Sequence, residues 1–261
     1  MSELLSLDIL LKRDRMILVI GLLAISALAW GYLAYDARRM ACHALMGPSG
    51  AIGLSGQAFQ LGWLFLMWVV MMIAMMVPSV APMLLLVAVV NRQRRQQRRP
   101  FVPTGIFLLG YLVIWSGFSL LASLLQQGLH AAAVLSSAMV LSSPFLGGGL
   151  LLAAGLFQWT PLKRACLIHC RTPLSFLMTE WREGMGGAFL MGIRHGAYCL
   201  GCCWILMGLL FVAGVMNLLW VAAISGLVLV EKLAPAGQRV SWAVGLGLVS
   251  WGAWIAARAV R

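Results

Sequence analysis

Met191-Gly-Ile-Arg-His-Gly-Ala-Tyr-Cys-Leu-Gly-Cys-Cys-Trp-Ile-Leu-Met207 is apolar enough to cross a membrane, yet it contains one imidazole and three thiols. Successive residues of a helix are rotated by about 100°, so side chains four residues apart share a face. One stripe therefore contains Met191, His195, Cys199 and Cys202, with Cys203 at its edge. Polar groups inside a membrane usually have a function, so this stretch predicts both a spanning helix and a binding site.

The donor atoms of this stripe indicate the kind of ion. Thiolate and thioether sulfur together with imidazole suit Cu(I) or Zn(II) and suit hard ions poorly. Arg194 lies beside the stripe, where it is expected either to balance a thiolate or to extend towards the membrane surface. We therefore predict a soft-metal site in this helix, with Arg194 as an outer partner.

The rest of the chain is equally apolar. Of its 261 residues, 62% are hydrophobic and 10% are charged, whereas soluble domains carry about 25% charged residues. Runs of about 20 apolar residues, enough for a hydrocarbon core of about 30 Å, predict an all-α bundle of about seven transmembrane spans in a single domain, 1–261. The predicted spans are 16–35, 59–90, 104–127, 144–160, 187–212, 215–232 and 240–257.

The second predicted span is too long for one straight crossing. Pro78 and Pro82 divide it, and proline removes a helical hydrogen bond, so we expect a kink or a break there. The connecting segment 161–186 is expected to lie at the cytoplasmic surface as a partly amphipathic helix, with Phe176 and Leu177 facing the membrane.

Basic residues set the expected orientation. Lysine and arginine are concentrated in the segments before the first span, after the second, between the fourth and fifth, and between the sixth and seventh. Positively charged loops stay in the cytoplasm, so the N-terminus is predicted inside and the C-terminus outside. The net charge of +12 is explained by this orientation, and nucleic-acid binding is not expected.

Methionines of the second span provide further soft donors. Met71 and Met75 lie four residues apart on one helical face. Methionine often serves only to fill gaps in a core, so their role as exchangeable thioether ligands depends on their lying near the Cys/His stripe.

A second thiol cluster is found in the segment between the fourth and fifth spans. Cys166, His169 and Cys170 share one helical face, a spacing that can chelate Cu(I) or, as the alternative there, zinc. Three donors leave a coordination position open, as a site that transfers its ion needs. This cluster is expected to load or unload metal at the cytoplasmic face.

Two weaker features complete the candidate residues. A cluster outside the membrane contains Met40, Cys42, His43 and Met46 and is either a metal contact point or an ordinary loop. Glu231 ends the sixth span and is expected to pair with Lys232, or to support the site as a partner of Arg194.

Several motifs together resemble a known family. They are Met71-Met-Ile-Ala-Met-Met-Val-Pro78, Lys163-Arg-Ala-Cys-Leu-Ile-His-Cys-Arg171, Gly187 to Trp204 with its His and Cys residues, Met216-Asn217 and Glu231-Lys232. This pattern resembles the predicted metal-binding integral membrane protein family of bacteria, long described as a domain of unknown function and sometimes as a copper chaperone. The resemblance runs from about residue 60 to the end of the sixth span. It implies a multi-span inner-membrane protein that handles copper.

The leading hypothesis is therefore a non-enzymatic protein of the bacterial inner membrane that binds Cu(I) and hands it over. Its expected partners are the lipid bilayer, the metal ion, and a copper enzyme or soluble metallochaperone. One alternative is a thiol–disulfide oxidoreductase, since Cys199 and Cys202 have a C-x-x-C spacing. Another is a structural or assembly subunit of a larger membrane complex.

Overall fold

The computed structural model describes residues 2–46, 57–97, 102–135 and 140–259, apart from the side chains at 2–14, 40–46, 57–59 and 95–96. The described residues form helices and no strand. The helices are α1 Ser2–Met46, α2 Gln57–Gln96, α3 Thr104–Ala131, α4 Pro144–Phe157, α5 Pro161–Arg171, α6 Pro173–Glu180, α7 Gly184–Gly208, α8 Leu210–Ala213, α9 Leu218–Leu233 and α10 Gly237–Ala259.

Five of the described helical segments are long and apolar enough to cross a membrane. They are Arg15–Arg39, Gln60–Arg94, Thr104–Ala131, Gly184–Ala213 and Gly237–Ala259. These segments match the first, second, third, fifth and seventh predicted spans. An all-helical chain consistent with a membrane protein is thus confirmed.

The two remaining predicted spans are less regular. In place of the fourth, α4 and α5 form a pair bent by 62°, which makes a sixth crossing only if the pair is one broken span. In place of the sixth, α9 has 16 residues, and a helix of that length reaches about 24 Å, less than the hydrocarbon thickness. The structure therefore supports five or six spans by length and composition. The total of seven spans stays a prediction.

The expected break in the second span is absent. The helix α2 runs without interruption through Pro78 and Pro82. Neighbouring helices can supply partners for backbone groups that proline leaves free in an apolar bundle. Pro78 and Pro82 leave the carbonyls of Ala74 and Pro78 without their usual helical donor. The hydroxyls of Ser79 and Tyr111 donate to the carbonyl of Met76, which lies between Ala74 and Pro78.

The helices that position the candidate site pack closely against one another. The helix α3 lies between α2 and α7, and α5 packs on the other side of α7. Glycine permits the contact between α3 and α7, since a side chain at Gly192 would collide with the backbone oxygen of Phe107. Small residues let helix backbones approach in this way, and the approach brings Tyr111 of α3 against the cysteine stripe of α7.

The segment 161–186 is helical with an exposed face, as expected, since Leu162, Ile168, Leu174 and Met178 are exposed, but two of its residues face inward. It forms α5 and α6, and Phe176 and Leu177 of α6 are buried rather than exposed to the membrane. The prediction that these two residues face lipid is wrong because they pack inward against the protein core. This inward packing also carries the thiols of α5 towards α7.

Candidate metal centre

Two helices contribute cysteines to a single place. The thiol of Cys170 on α5 lies close enough to the thiols of Cys199 and Cys202 on α7 to interact with both. Cys166, one turn earlier on α5, lies so close to α7 that a side chain at Gly201 would approach its sulfur to 2.8 Å. We call Cys166, Cys170, Cys199, Cys202 and Cys203 the thiol cluster, and all five are free cysteines. The sequence predicted two separate sites here, and the structure brings their thiols together.

Within α7 the thiols are held by the helix backbone. The Sγ atoms of Cys202 and Cys203 both donate to the carbonyl oxygen of Cys199, at 3.0 and 2.9 Å. Cys199, Cys202 and Cys203 are all buried. The three sulfurs therefore share one turn of α7 in a water-poor environment, as the predicted stripe requires.

A tyrosine and a lysine complete the surroundings of Cys199. The hydroxyl of Tyr111 lies 3.0 Å from Cys199 Sγ. The Nζ of Lys232 on α9 donates to Cys199 Sγ at 2.9 Å and to Ser79 Oγ at 3.0 Å. Tyr111, Ser79 and Lys232 were not candidates in the sequence. Only the position of Lys232 in a predicted span could have indicated it.

His195 lies one turn before Cys199 on the same face of α7. Its ring packs among three aromatic rings, with centroid distances of 5.9 Å to Phe107, 6.0 Å to Tyr111 and 5.3 Å to Phe176. The residue is 3% exposed, and its Nδ1 has no hydrogen-bond partner among the described residues. A buried polar atom without a partner is costly, so a free nitrogen at this place marks His195 as a ligand candidate.

The two outer residues have other partners than those predicted. Arg194 forms an ion pair with Glu180 of α6, so it does not balance a thiolate. Glu231 pairs with neither Lys232 nor Arg194. Its two carboxylate oxygens each accept from Lys163 Nζ at 2.8 Å. The hydroxyl of Ser241 also donates to Glu231. The buried ion pair of Lys163 and Glu231 joins α5 to α9, and we call it the clasp.

The methionine candidates are buried in the same core as Cys199, Cys202 and Cys203, and among the described residues no hydrogen bond joins their sulfurs to the thiol cluster. Met71 and Met75 belong to the core of α2. Met191 accepts a hydrogen bond through its Sδ from the backbone N–H of Arg182, at 3.2 Å. Its thioether is thus occupied by the turn that precedes α7. Their role as thioether ligands remains a prediction.

His169 does not join the cysteines of its own helix. Its ring stacks on Tyr198 at a centroid distance of 4.2 Å, and its Nδ1 lies 2.9 Å from the carbonyl oxygen of Ala165. Across the described residues, no three His, Cys, Asp or Glu side chains are arranged so that they could hold a metal ion as they stand. The structure therefore does not support zinc bound by Cys166, His169 and Cys170.

The predicted external cluster falls outside what the structure describes at the level of side chains. The backbone of 40–46 continues α1, but the side chains of Met40, Cys42, His43 and Met46 are outside the described residues. Metal binding by this cluster remains an open prediction.

Comparison with known proteins gives one match. Residues 65–255 match a family model described as "Copper chaperone", named PpoB2. The matched range includes the thiol cluster, His195, Lys163 and both residues of the Glu231-Lys232 pair. Neither the curated proteins nor the solved structures include a match.

Proposed function

The chain belongs to the PpoB2 family of copper chaperones, and on that premise we propose that it binds Cu(I) at the thiol cluster and hands the ion to a partner. The partner class that fits this role is a copper enzyme or a soluble metallochaperone. Copper is here the cargo of the protein.

The observation that carries this proposal is the contact of Cys170 with Cys199 and Cys202 across two helices. Cysteine thiolates select soft ions such as Cu(I). A cluster divided between a long helix and the short helix α5 can bind or release an ion by exchanging one sulfur at a time.

Metal binding at this cluster replaces hydrogen bonds that the thiols make in its absence. Cys202 and Cys203 donate hydrogen bonds to the Cys199 carbonyl, and a thiol must lose its proton to become a metal ligand. Rotation of these side chains about Cα–Cβ is enough to redirect the sulfurs without a change in α7. His195 offers an unused ring nitrogen on the same helical face.

We place the protein in the bacterial inner membrane with about seven crossings and a cytoplasmic N-terminus. The apolar helices support a membrane location. The concentration of basic residues in alternate connecting segments supports the orientation. Five of the seven proposed crossings are helices of membrane length. The other two are α9 and the bent pair of α4 and α5.

The test is the copper content of the full chain purified in mild detergent under reducing, oxygen-free conditions. We expect at least one equivalent of copper in the wild type. Cys170→Ser and Cys199→Ser should both reduce it, because each removes a sulfur from one side of the cluster. Mass spectrometry of the metal content gives the measurement.

Cys42→Ser is the matched control, since Cys42 is the one cysteine that belongs to neither α5 nor α7. It should retain at least the one equivalent of copper that the thiol cluster binds, and a smaller loss in this variant would report copper at the external cluster. Retention of copper in Cys170→Ser together with loss in Cys199→Ser would contradict a site shared by two helices. Absence of copper from the wild type would contradict the proposal as a whole.

A thiol–disulfide oxidoreductase is the second candidate, and the same contact of Cys170 with Cys199 supports it. Oxidation of two thiols to a disulfide releases two electrons and two protons, which a membrane quinone could accept. Protection of Cys170 and Cys199 from alkylation after addition of quinone, in protein without copper, would favour this function.

A further inference from the structure

A buried lysine lies directly against the thiol cluster. Lys232 is 7% exposed, and its Nζ lies 2.9 Å from Cys199 Sγ. Ser79 also accepts from it at 3.0 Å, while the Ser79 hydroxyl donates to the carbonyl of Met76. An ammonium donates only, and both of its contacts here are with atoms that accept.

The charge of this lysine is not neutralised by a neighbouring carboxylate. Glu231 precedes it on α9, but its carboxylate is directed to Lys163. No ion pair of Lys232 is present within the parts of the chain that the structure describes. The two adjacent residues of α9 thus have different roles. Glu231 neutralises the charge of Lys163 on α5, and Lys232 places a positive charge at Cys199.

A fixed positive charge beside a metal site acts on the charge of the ion. For the same set of thiolates and the same distance, Coulomb repulsion on a divalent ion is twice that on a monovalent ion. Burial strengthens this difference, because the effective dielectric constant of a protein interior is lower than that of water. Sulfur ligands alone bind both Cu(I) and Zn(II), so ligand type does not separate the two ions.

We propose that Lys232 is a specificity-determining residue, and that its ammonium makes the thiol cluster favour monovalent Cu(I) over divalent Zn(II). This inference rests on the proposed function of the thiol cluster. The structure supports it through the placement of a cation without a carboxylate partner at Cys199 Sγ, 2.9 Å from Lys232 Nζ.

The experiment compares Cu(I) and Zn(II) affinities of the full chain in detergent, each measured by competition with a chelator under anaerobic conditions. Lys232→Leu removes the charge and adds no sulfur donor beside the cluster. It should raise the affinity for Zn(II) relative to Cu(I) by at least about tenfold, because only the divalent ion loses the second unit of repulsion. Both affinities are measured on one preparation, so a fraction of misfolded protein cancels in their ratio.

Lys232→Arg is the matched control, since it retains the positive charge and should keep the ratio of the wild type. Lys232→Gln serves as a second neutral variant that can still bond to Ser79 if the leucine variant folds poorly. An unchanged ratio in the neutral variants, or an equal loss of both affinities, would overturn the inference while the wild type still binds Cu(I). A wild type without affinity for Cu(I) would overturn the proposed function as well.

Discussion

His195 combines deep burial with an unused ring nitrogen. Three aromatic rings, those of Phe107, Tyr111 and Phe176, account for its packing. They do not account for an imidazole rather than a phenyl ring, because Nδ1 has no partner among the described residues. A metal ligand does account for it, since His195 lies one turn from Cys199.

His195→Phe separates packing from ligation. Phenylalanine suits the aromatic surroundings and removes a buried polar atom whose desolvation costs about 1–3 kcal/mol. We expect the thermal midpoint in detergent to be equal or higher, while the Cu(I) affinity falls at least about tenfold, the lower end of the effect of changes around metal ligands.

His169→Phe provides the comparison for this variant. It keeps the stacking on Tyr198 and changes an imidazole whose Nδ1 already lies 2.9 Å from the carbonyl oxygen of Ala165. Its Cu(I) affinity should equal that of the wild type. Equal affinities in both phenylalanine variants would show that His195 serves packing alone.

The sequence predicted some residues of the site and missed others for a physical reason. The stripe of His195, Cys199 and Cys202 follows from helical periodicity, which is a local property. Tyr111 and Ser79 belong to other helices, α3 and α2. The sequence separation between Tyr111 and Cys199 is 88 residues. Such contacts depend on which helices pack together, and no local pattern records that.

At the level of elements, the clasp between α5 and α9 holds the thiol cluster together. Lys163 and Glu231 are both 2% exposed in their side chains and pair at 2.8 Å. Lys163 also donates to Gln158, which lies between α4 and α5. The clasp fixes the short helix that carries Cys166 and Cys170.

Breaking the clasp on one side should release α5. Lys163→Met leaves a buried carboxylate without its partner, a change that costs about 3–5 kcal/mol. We expect lower stability in denaturant and faster alkylation of Cys170. The double variant Lys163→Met/Glu231→Gln removes both charges and should recover most of the stability.

An exposed ion pair is the control. Arg94 and Glu183 pair at 2.6 Å, with side chains 23% and 52% exposed. Pairs of this kind contribute about 1 kcal/mol or less, so Glu183→Gln should leave both stability and Cys170 alkylation nearly unchanged. A similar effect from both pairs would argue against the clasp.

The elements were predicted with uneven success. Helices such as α3 and α10 follow from apolar length alone, because backbone groups in a bilayer must be bonded within the segment. The burial of Phe176 and Leu177 on α6 was not predicted, since the mixed composition of this segment is typical of a surface helix. Lys163 is one of the basic residues between the fourth and fifth predicted spans, which were expected to lie in a cytoplasmic segment. It is buried instead, because Glu231, 68 residues away, neutralises its charge.

For the whole molecule, the number of crossings decides where the C-terminus lies. With seven or five crossings it lies opposite the predicted cytoplasmic N-terminus, and with six it lies on the same side. The structure supports five helices of membrane length, or six if the bent pair of α4 and α5 is one span. If that pair is one span, the short helix α9 decides between six crossings and seven.

A reporter enzyme that folds only outside the cytoplasm, fused after residue 261, tests this. We expect activity at the C-terminus and none for a fusion after residue 97, which follows the basic end of α2. The positive-inside bias is the physical reason, as Arg92 and Arg94 should stay in the cytoplasm. The contrary result is an inactive reporter enzyme after residue 261, together with fluorescence from a reporter that folds only in the cytoplasm, fused at the same place. It would contradict seven crossings.

The adjacent position of Glu231 and Lys232 limits how this protein can diverge. Successive residues of a helix point about 100° apart, and Asn217 fixes the start of α9 by capping the N–H of Leu219. Deletion of one residue inside α9 would move Lys232 to the place of Glu231, where its ammonium would meet that of Lys163. It would also remove the cation from Cys199. Descendants of this chain can therefore replace many side chains of α9, but they cannot insert or delete a residue there without losing two buried contacts at once.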